Sequence, residues 1–248
     1  MKNERKSASL NLHLLTGLAL FAMCMTSCDE DRISPEGDAT KKVITTSSFD
    51  ELEVSDAFSV FVRFSETEES VEIETNPNIH AFVDVDVVSN RLQIEIERGV
   101  TLRGSAILNA YITTKNIDFY RASGAVDIQL EDKLVAQDVE IDLSGASTLE
   151  GEIETEQLDI DLSGASELAI TGVSDKIDAS ASGASELSDY GFETNELTIR
   201  LSGASDAKLT VENEIKVTAS GASSLRYKGG AAIIESNLSG ASDVEKVD

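Results

Sequence analysis

At 248 residues the chain is long enough for one large all-β domain or two small ones. Its formal net charge is −26, from 46 Asp and Glu against 20 Lys and Arg, and so acidic a surface argues against nucleic acid and anionic headgroups as direct ligands. Aromatic residues are few (8 Phe, 4 Tyr, no Trp), which weakens the case for a sugar-stacking face. Two cysteines and two histidines offer little for metal or redox chemistry.

The chain begins as an address. Lys2, Arg5 and Lys6 precede an apolar-biased stretch from Leu10 to Met25, interrupted by Asn11, His13, Thr16 and Gly17. That stretch is too short for a comfortable membrane span and has the form of a secretory signal. It ends in Met25-Thr26-Ser27-Cys28, which resembles a bacterial lipobox, with Met25 in place of the preferred Leu. Cys24 is the competing candidate, but bulky Met23 before it suits cleavage poorly. The expectation is a signal peptide over 1–27 and a lipid anchor at Cys28 whose acyl chains hold the protein on the bacterial membrane. The alternatives are a plain secreted protein with a stray cysteine, or an uncleaved anchor.

Asp29-Glu30-Asp31 and a Pro- and Gly-containing stretch follow, predicting a flexible tether over 28–42. Acidic residues there resemble the surface-export signal of lipoproteins in the Bacteroides group. This favours an outer-membrane lipoprotein at the cell surface over periplasm-facing display.

Removal of 1–27 takes away Cys24 and His13, leaving His80 as the sole histidine. The mature chain then has no disulfide and no Cys/His metal cluster, and no cofactor is expected. A Ser-His-Asp triad would need His80, which lies in the turn-like Asn76-Pro77-Asn78-Ile79-His80 and reads as a surface histidine. No catalytic residue is assigned.

From about residue 43 the pattern alternates. Phe49, Leu52 and Val54, then Ser55-Asp56-Ala57, then Phe58, Val60 and Val62 outline a strand, a corner and a strand. Val71 to Glu74, Leu92 to Ile96 after the turn Ser89-Asn90, and Ala110 to Thr113 predict further strands. Asn76 to Phe82 allows a short helical turn, and Arg98 to Gly104 reads as a loop. Residues 43–115 form an irregular β portion, continuous with regular coils from about 116.

There the four-residue unit Ser-Gly-Ala-Ser recurs, with glycines at Gly145, Gly164, Gly183, Gly203, Gly221 and Gly240 and a weaker first copy at Gly124. The spacing is about 18–21 residues, within the range of stacking repeats. Alternating residues such as Leu158, Ile160 and Leu162 before a motif, and Leu168 and Ile170 after it, give two short strands per unit with a polar turn between units. Units this short cannot bury a core alone and must stack. At roughly 3.3 Å per residue, a coil runs about 60 Å around, which predicts a single-stranded parallel β-helix. A propeller blade would need about 40 residues. In the corner, Gly supplies positive φ or close approach, Ala fits the tight interior of the bend, and Ser supplies hydrogen bonds.

Asp142, Asp161 and Asp178 precede successive motifs at nearly equivalent places, with Arg200 next. They would serve as carboxylate ligands for a divalent cation, or form an outward row of solvated charge that Arg200 relieves.

The entry strand Phe49 to Val54, the segment Arg91-Leu92-Gln93-Ile94, the repeated Leu-Ser-Gly units and the ending Leu225 to Gly230 followed by Asn237 to Ser242 carry a resemblance. Together they resemble the putative auto-transporter adhesin family with the head GIN domain, over about 43–248. Many relatives carry Ser-Gly-Ser-Gly where this chain has Ser-Gly-Ala-Ser. The resemblance implies a β-helix at the surface or in the periplasm, and brings no active-site motif. No translocation barrel follows the last motif in this sequence. The expected function is a non-enzymatic, lipid-anchored envelope protein, an adhesin or surface binding module with a protein or glycan ligand. The alternatives are a Ca-dependent polysaccharide-processing β-helix enzyme, or a structural component that self-associates through its β-helix ends.

Overall fold

Every second residue of β4 (Ser59–Phe64) is buried: Val60 and Val62 point inward, while Phe61 and Arg63 point out. The same two-residue period runs through the chain and gives a solenoid that is β throughout, apart from a 3-10 turn at His80–Phe82. The computed structural model describes residues 31–248. The expected signal peptide and the expected lipid anchor at Cys28 lie outside the described residues.

The first rung is β3 (Glu51–Val54) and β4, joined at Asp56. After an excursion the chain returns in β10 (Phe119–Ala122) and β11 (Asp127–Leu130), which lie parallel and in register on β3 and β4. The short β12 (Leu134–Val135) follows, then β13 (Asp138–Leu143) and four long strands, β14 (Thr148–Leu162), β15 (Glu167–Ala181), β16 (Glu186–Leu201) and β17 (Asp206–Ala219). The last coils are β18 (Ser224–Lys228), β19 (Ala232–Leu238) and β20 (Asp243–Lys246). All these pairings are parallel, and they stack apolar columns such as Val139, Leu158, Ile177, Leu197 and Ile215 through the core.

The polar turn expected between units is not a break. Strands of 14–16 residues run from one corner to the next. They bend where Thr155, Ser174 and Thr194 turn inward, and backbone pairing continues around the bend. The Thr155 hydroxyl donates to the Gln137 carbonyl at 2.8 Å, supplying inside the bend the bond that water would supply outside. The 20-residue unit between Gly183 and Gly203 carries one residue more than the unit before it, and the register shifts between Leu168 and Gly172 of the coil beneath. A bulge absorbs it.

The excursion over 65–118 builds the first end of the solenoid. β7 (Arg91–Ile96) lies parallel beneath β3, and β9 (Leu108–Thr114) lies parallel beneath β4. Antiparallel strands finish the end: β6 (Val83–Val88) on β7, β5 (Ser70–Thr75) on β9, and β2 (Thr40–Ile44) on β5. The β6–β7 hairpin turns at Ser89 and Asn90, both at positive φ as a type I′ turn requires. The outer edge strands carry Lys41 and Lys42 on β2 and Asp84 and Asp86 on β6, charges that discourage further strand addition.

Two boundaries differ from expectation. β1 (Asp31–Ile33) pairs with β8 (Val100–Leu102), so the segment expected to be a loop between Arg98 and Gly104 contains a strand. The expected tether over 28–42 does not reach residue 42. Asn78 donates to the Ser34 carbonyl and accepts from the Glu36 amide, Asn76 donates to the Gly37 carbonyl, and β2 begins at Thr40. Polar side chains of the 76–80 turn hold this stretch down, a tertiary contact that local composition does not encode.

Candidate functional site

The repeated corner is structural in every copy. The seven motif glycines have φ between 74° and 93°. A Cβ on any of them would fall 2.3–2.7 Å from the carbonyl oxygen of the corner beneath. The following alanine amide donates to that carbonyl at 2.6–2.7 Å, tying corner to corner along the stack. Asp56 opens the stack at φ 70°, and its carboxylate accepts from the Ile96 amide at 2.7 Å.

The interior of the bend, expected for Ala, is taken by the second Ser, which also makes the hydrogen bonds expected of it. The corner alanines are exposed, whereas Ser147, Ser166, Ser185, Ser205 and Ser223 are buried. Each buried hydroxyl donates to the carbonyl of the first serine in its own motif, at 2.6–3.0 Å. The position is an inward one, filled by Phe58 and Val126 in the first two rungs. A serine fits there because its own turn satisfies its hydroxyl.

The aspartate row also differs from expectation. Asp142 is in register with Asp161, but the next residue in that column is Ser180 and then Arg200. Asp178 belongs to the neighbouring column, opposite Asp159. Counting back from each motif misplaced it by two residues, one full period on the same face. Asp142 pairs with Arg121 at 2.9 Å and Arg200 reaches Asp178 at 3.0 Å. Among the described residues, no three His, Cys, Asp or Glu side chains are grouped so as to hold a metal ion. His80 lies at the 3-10 turn and bonds the Thr40 carbonyl through Nε2 at 2.9 Å.

The feature that departs from the repeat is a cleft of about 360 Å³ on the outer face of β2, β5, β9 and β4. Phe61 and Tyr111 occupy in-register outward positions, and their rings stack at 5.2 Å with an interplanar angle of 15°. The ammonium of Lys41 lies 3.5 Å from the Tyr111 ring centroid and 3.7 Å from Glu72. On the other side, Arg63 meets Glu131 at 2.8 Å. Ser70, Ile112 and Thr113 complete the lining.

Tyr111 is fixed from behind. Its hydroxyl donates to Glu74 at 2.7 Å, and Asn109 donates to the same carboxylate at 3.0 Å. The bonds from Asn109 and Tyr111 hold the Glu74 carboxyl below its ordinary range, and the bond to Glu74 together with burial raises the Tyr111 phenol. The aromatic pair is therefore held in place before any ligand arrives.

Two other places are chemically closed. On the opposite face Phe119 lies between the guanidiniums of Arg91 (4.4 Å) and Arg121 (5.0 Å), and Glu51, Glu53 and Asp142 pair with those cations. A larger cleft of about 490 Å³ follows the second bend, lined by exposed Val135 and Val173 with Glu154, Glu193, Thr155 and Thr194. The Thr155 hydroxyl donates to the Gln137 carbonyl and the Thr194 hydroxyl to the Glu196 carbonyl, so the bend consumes its own hydrogen bonds.

Sequence reasoning passed over Phe61 and Tyr111 because it weighed aromatic number and not position. Their signal was present: each sits between two inward apolar residues, Val60 and Val62 or Ala110 and Ile112, so parity alone turns it outward.

The model of the family described as "Putative auto-transporter adhesin, head GIN domain" matches residues 48–231. Several solved structures share the fold. A putative adhesin from Bacteroides fragilis aligns with TM-score 0.80 at 17% identity, covering 87% of this chain and 100% of that one. A putative adhesin from Parabacteroides merdae aligns with TM-score 0.72 at 20% identity, covering 88% and 100%. A putative lipid binding protein from Parabacteroides distasonis aligns with TM-score 0.74 at 15% identity, also covering 88% and 100%. No curated protein sequence matches the chain.

Proposed function

Because the chain belongs to the putative auto-transporter adhesin, head GIN domain family, we propose that it is a non-enzymatic binding module held on the outer membrane by a lipidated Cys28 and displayed at the cell surface. The observation that carries this reading is the cleft around Phe61 and Tyr111. It is concave, its ring pair is pre-positioned, and it lies on a rigid sheet, as a recognition site requires. Its charged groups are paired with one another, and none is poised as an acid, base or nucleophile. Among the described residues, no helix is long and apolar enough to cross a membrane, and a lipid anchor supplies attachment without one.

Protease treatment of intact cells producing the protein tests display and anchorage together. The wild-type chain should be removed from intact cells, and Cys28→Ala should appear in the soluble fraction. Protection of the wild type until the outer membrane is opened would contradict surface display. Retention of Cys28→Ala in the membrane would contradict the anchor.

A second reading draws on the last coil. All seven residues of β19 are exposed, including Ile234 at a register shift and Ile233 and Leu238, whose in-register neighbours Ile215 and Ala219 are buried. An open sheet edge with apolar residues in core positions can pair with another subunit. Self-association through this end predicts a sedimentation coefficient that rises with concentration and falls back in Ile234→Lys. A concentration-independent monomer would sink this reading.

A further inference from the structure

We propose that the Phe61–Tyr111 cleft is a binding site for an uncharged saccharide, with the ring pair supplying an apolar strip and the Lys41–Glu72 and Arg63–Glu131 pairs supplying the hydrogen bonds to sugar hydroxyls. This rests on the surface-module reading above and names the ligand class of its site.

The cleft's own charge balance selects the ligand. Lys41 is already beside Glu72 and Arg63 beside Glu131. An anionic ligand would have to separate a cation from its carboxylate, and would then face Glu72, Glu74 and Glu131 on a chain of net charge −26. A cationic ligand would have to displace Lys41 from the Tyr111 ring, or Arg63 from Glu131. A hydroxyl leaves both charges compensated. It accepts a hydrogen bond from the cation and donates one to the carboxylate, so it inserts into an ion pair without changing the charge of the site. The 3.7 Å gap between Lys41 and Glu72 is wider than a direct hydrogen bond and leaves such an insertion open.

The remaining requirement is an apolar surface for the C–H face of a sugar ring. The ring carbons of Phe61 and Tyr111 that line the cleft beside Lys41 meet it, and the pair stands out on a chain with only 12 Phe and Tyr residues in all. Burying both rings in the core would satisfy packing. Their outward parity on adjacent strands, with one hydroxyl tied back to Glu74, instead presents them to solvent in one orientation. A cleft of about 360 Å³ is of ligand-pocket size. Hydroxyl donors and acceptors at Ser70 and Thr113 extend the polar lining along the same strands.

The test is isothermal titration of the mature domain with four neutral tetrasaccharides (β-1,4-glucose, β-1,4-N-acetylglucosamine, α-1,6-mannose and β-1,4-galactose) and with one anionic control, oligogalacturonate. At least one neutral tetrasaccharide should bind, and oligogalacturonate should not. Phe61→Ala and Tyr111→Ala should each weaken binding by about tenfold or more, the loss equivalent to 1.4 kcal/mol. Arg63→Gln, on a half-exposed side chain whose loss leaves the fold intact, should weaken it as well, whereas Arg200→Gln on the other face should not. Binding of none of the neutral sugars, preference for oligogalacturonate, or equal affinity in Arg63→Gln would overturn the assignment. Such an outcome with the protein still exposed on intact cells would leave the surface-module reading standing. Protection from protease on intact cells would overturn that reading without touching the sugar result.

Discussion

Gly183 and Gly99 share a positive φ, at 79° and 89°, yet a methyl group would meet very different surroundings at the two. At Gly99 nothing lies within 4 Å, so Gly99→Ala should cost only the left-handed strain, about 1–2 kcal/mol. At Gly183 the methyl would fall 2.3 Å from the Gly164 carbonyl oxygen, which is backbone and cannot move aside without breaking the Ala184 amide bond at 2.7 Å. Gly183→Ala should therefore cost about 3 kcal/mol or more in urea unfolding. Equal losses would contradict the close-approach account. Asp118 gives a second test. Burial, then the nearby Asp50, raises its carboxyl above the ordinary range. A raised folded pKa means that the fold prefers the protonated form. The stability from this group is fully present below the unfolded pKa and is lost as pH rises through the folded one. Asp118→Asn should raise the melting temperature at neutral pH and lose that advantage in acid. A gain that persists in acid would point to packing and not to charge.

At the scale of elements, the long strands share their backbone bonds with coils on both sides, while β19 and β20 have a neighbour on one side only. Amide hydrogen exchange should therefore be slowest in β14 to β16 and fastest in β19 and β20, with the antiparallel end intermediate. Protection of β19 equal to that of β15 in dilute solution would mean that another chain covers it. This is also the scale at which the sequence was most legible. Alternation identified the strands of the stack, though not β1, β6 or β8 at its first end, and a recurring glycine identified the stacking, because both are local consequences of backbone geometry. What it left unread depends on register. Asp178 lies two residues along its strand from the place that the motif spacing gives it, and the interior place expected for the corner alanine, shared with Phe58 and Val126, belongs to the second serine. The pinning of 31–42 by Asn76 and Asn78 joins segments some 40 residues apart, beyond any local pattern.

For the whole molecule, regular and irregular parts are divided along the axis. The coils from β13 to β17 repeat one corner and one core, and their outward charges are mostly carboxylates that meet solvent. The first end, where the excursion over 65–118 interrupts the repeat, holds the aromatic pair, the antiparallel strands and the cleft. A solenoid built in this way acts as a stiff support for one differentiated patch. The most direct test is attachment of intact cells to a surface coated with the neutral tetrasaccharide that binds best, comparing wild type, Phe61→Ala and a strain lacking the protein. Phe61→Ala, still removable by protease from the cell surface, should attach no better than the deleted strain. Attachment at the wild-type level by a surface-exposed Phe61→Ala protein would contradict the account.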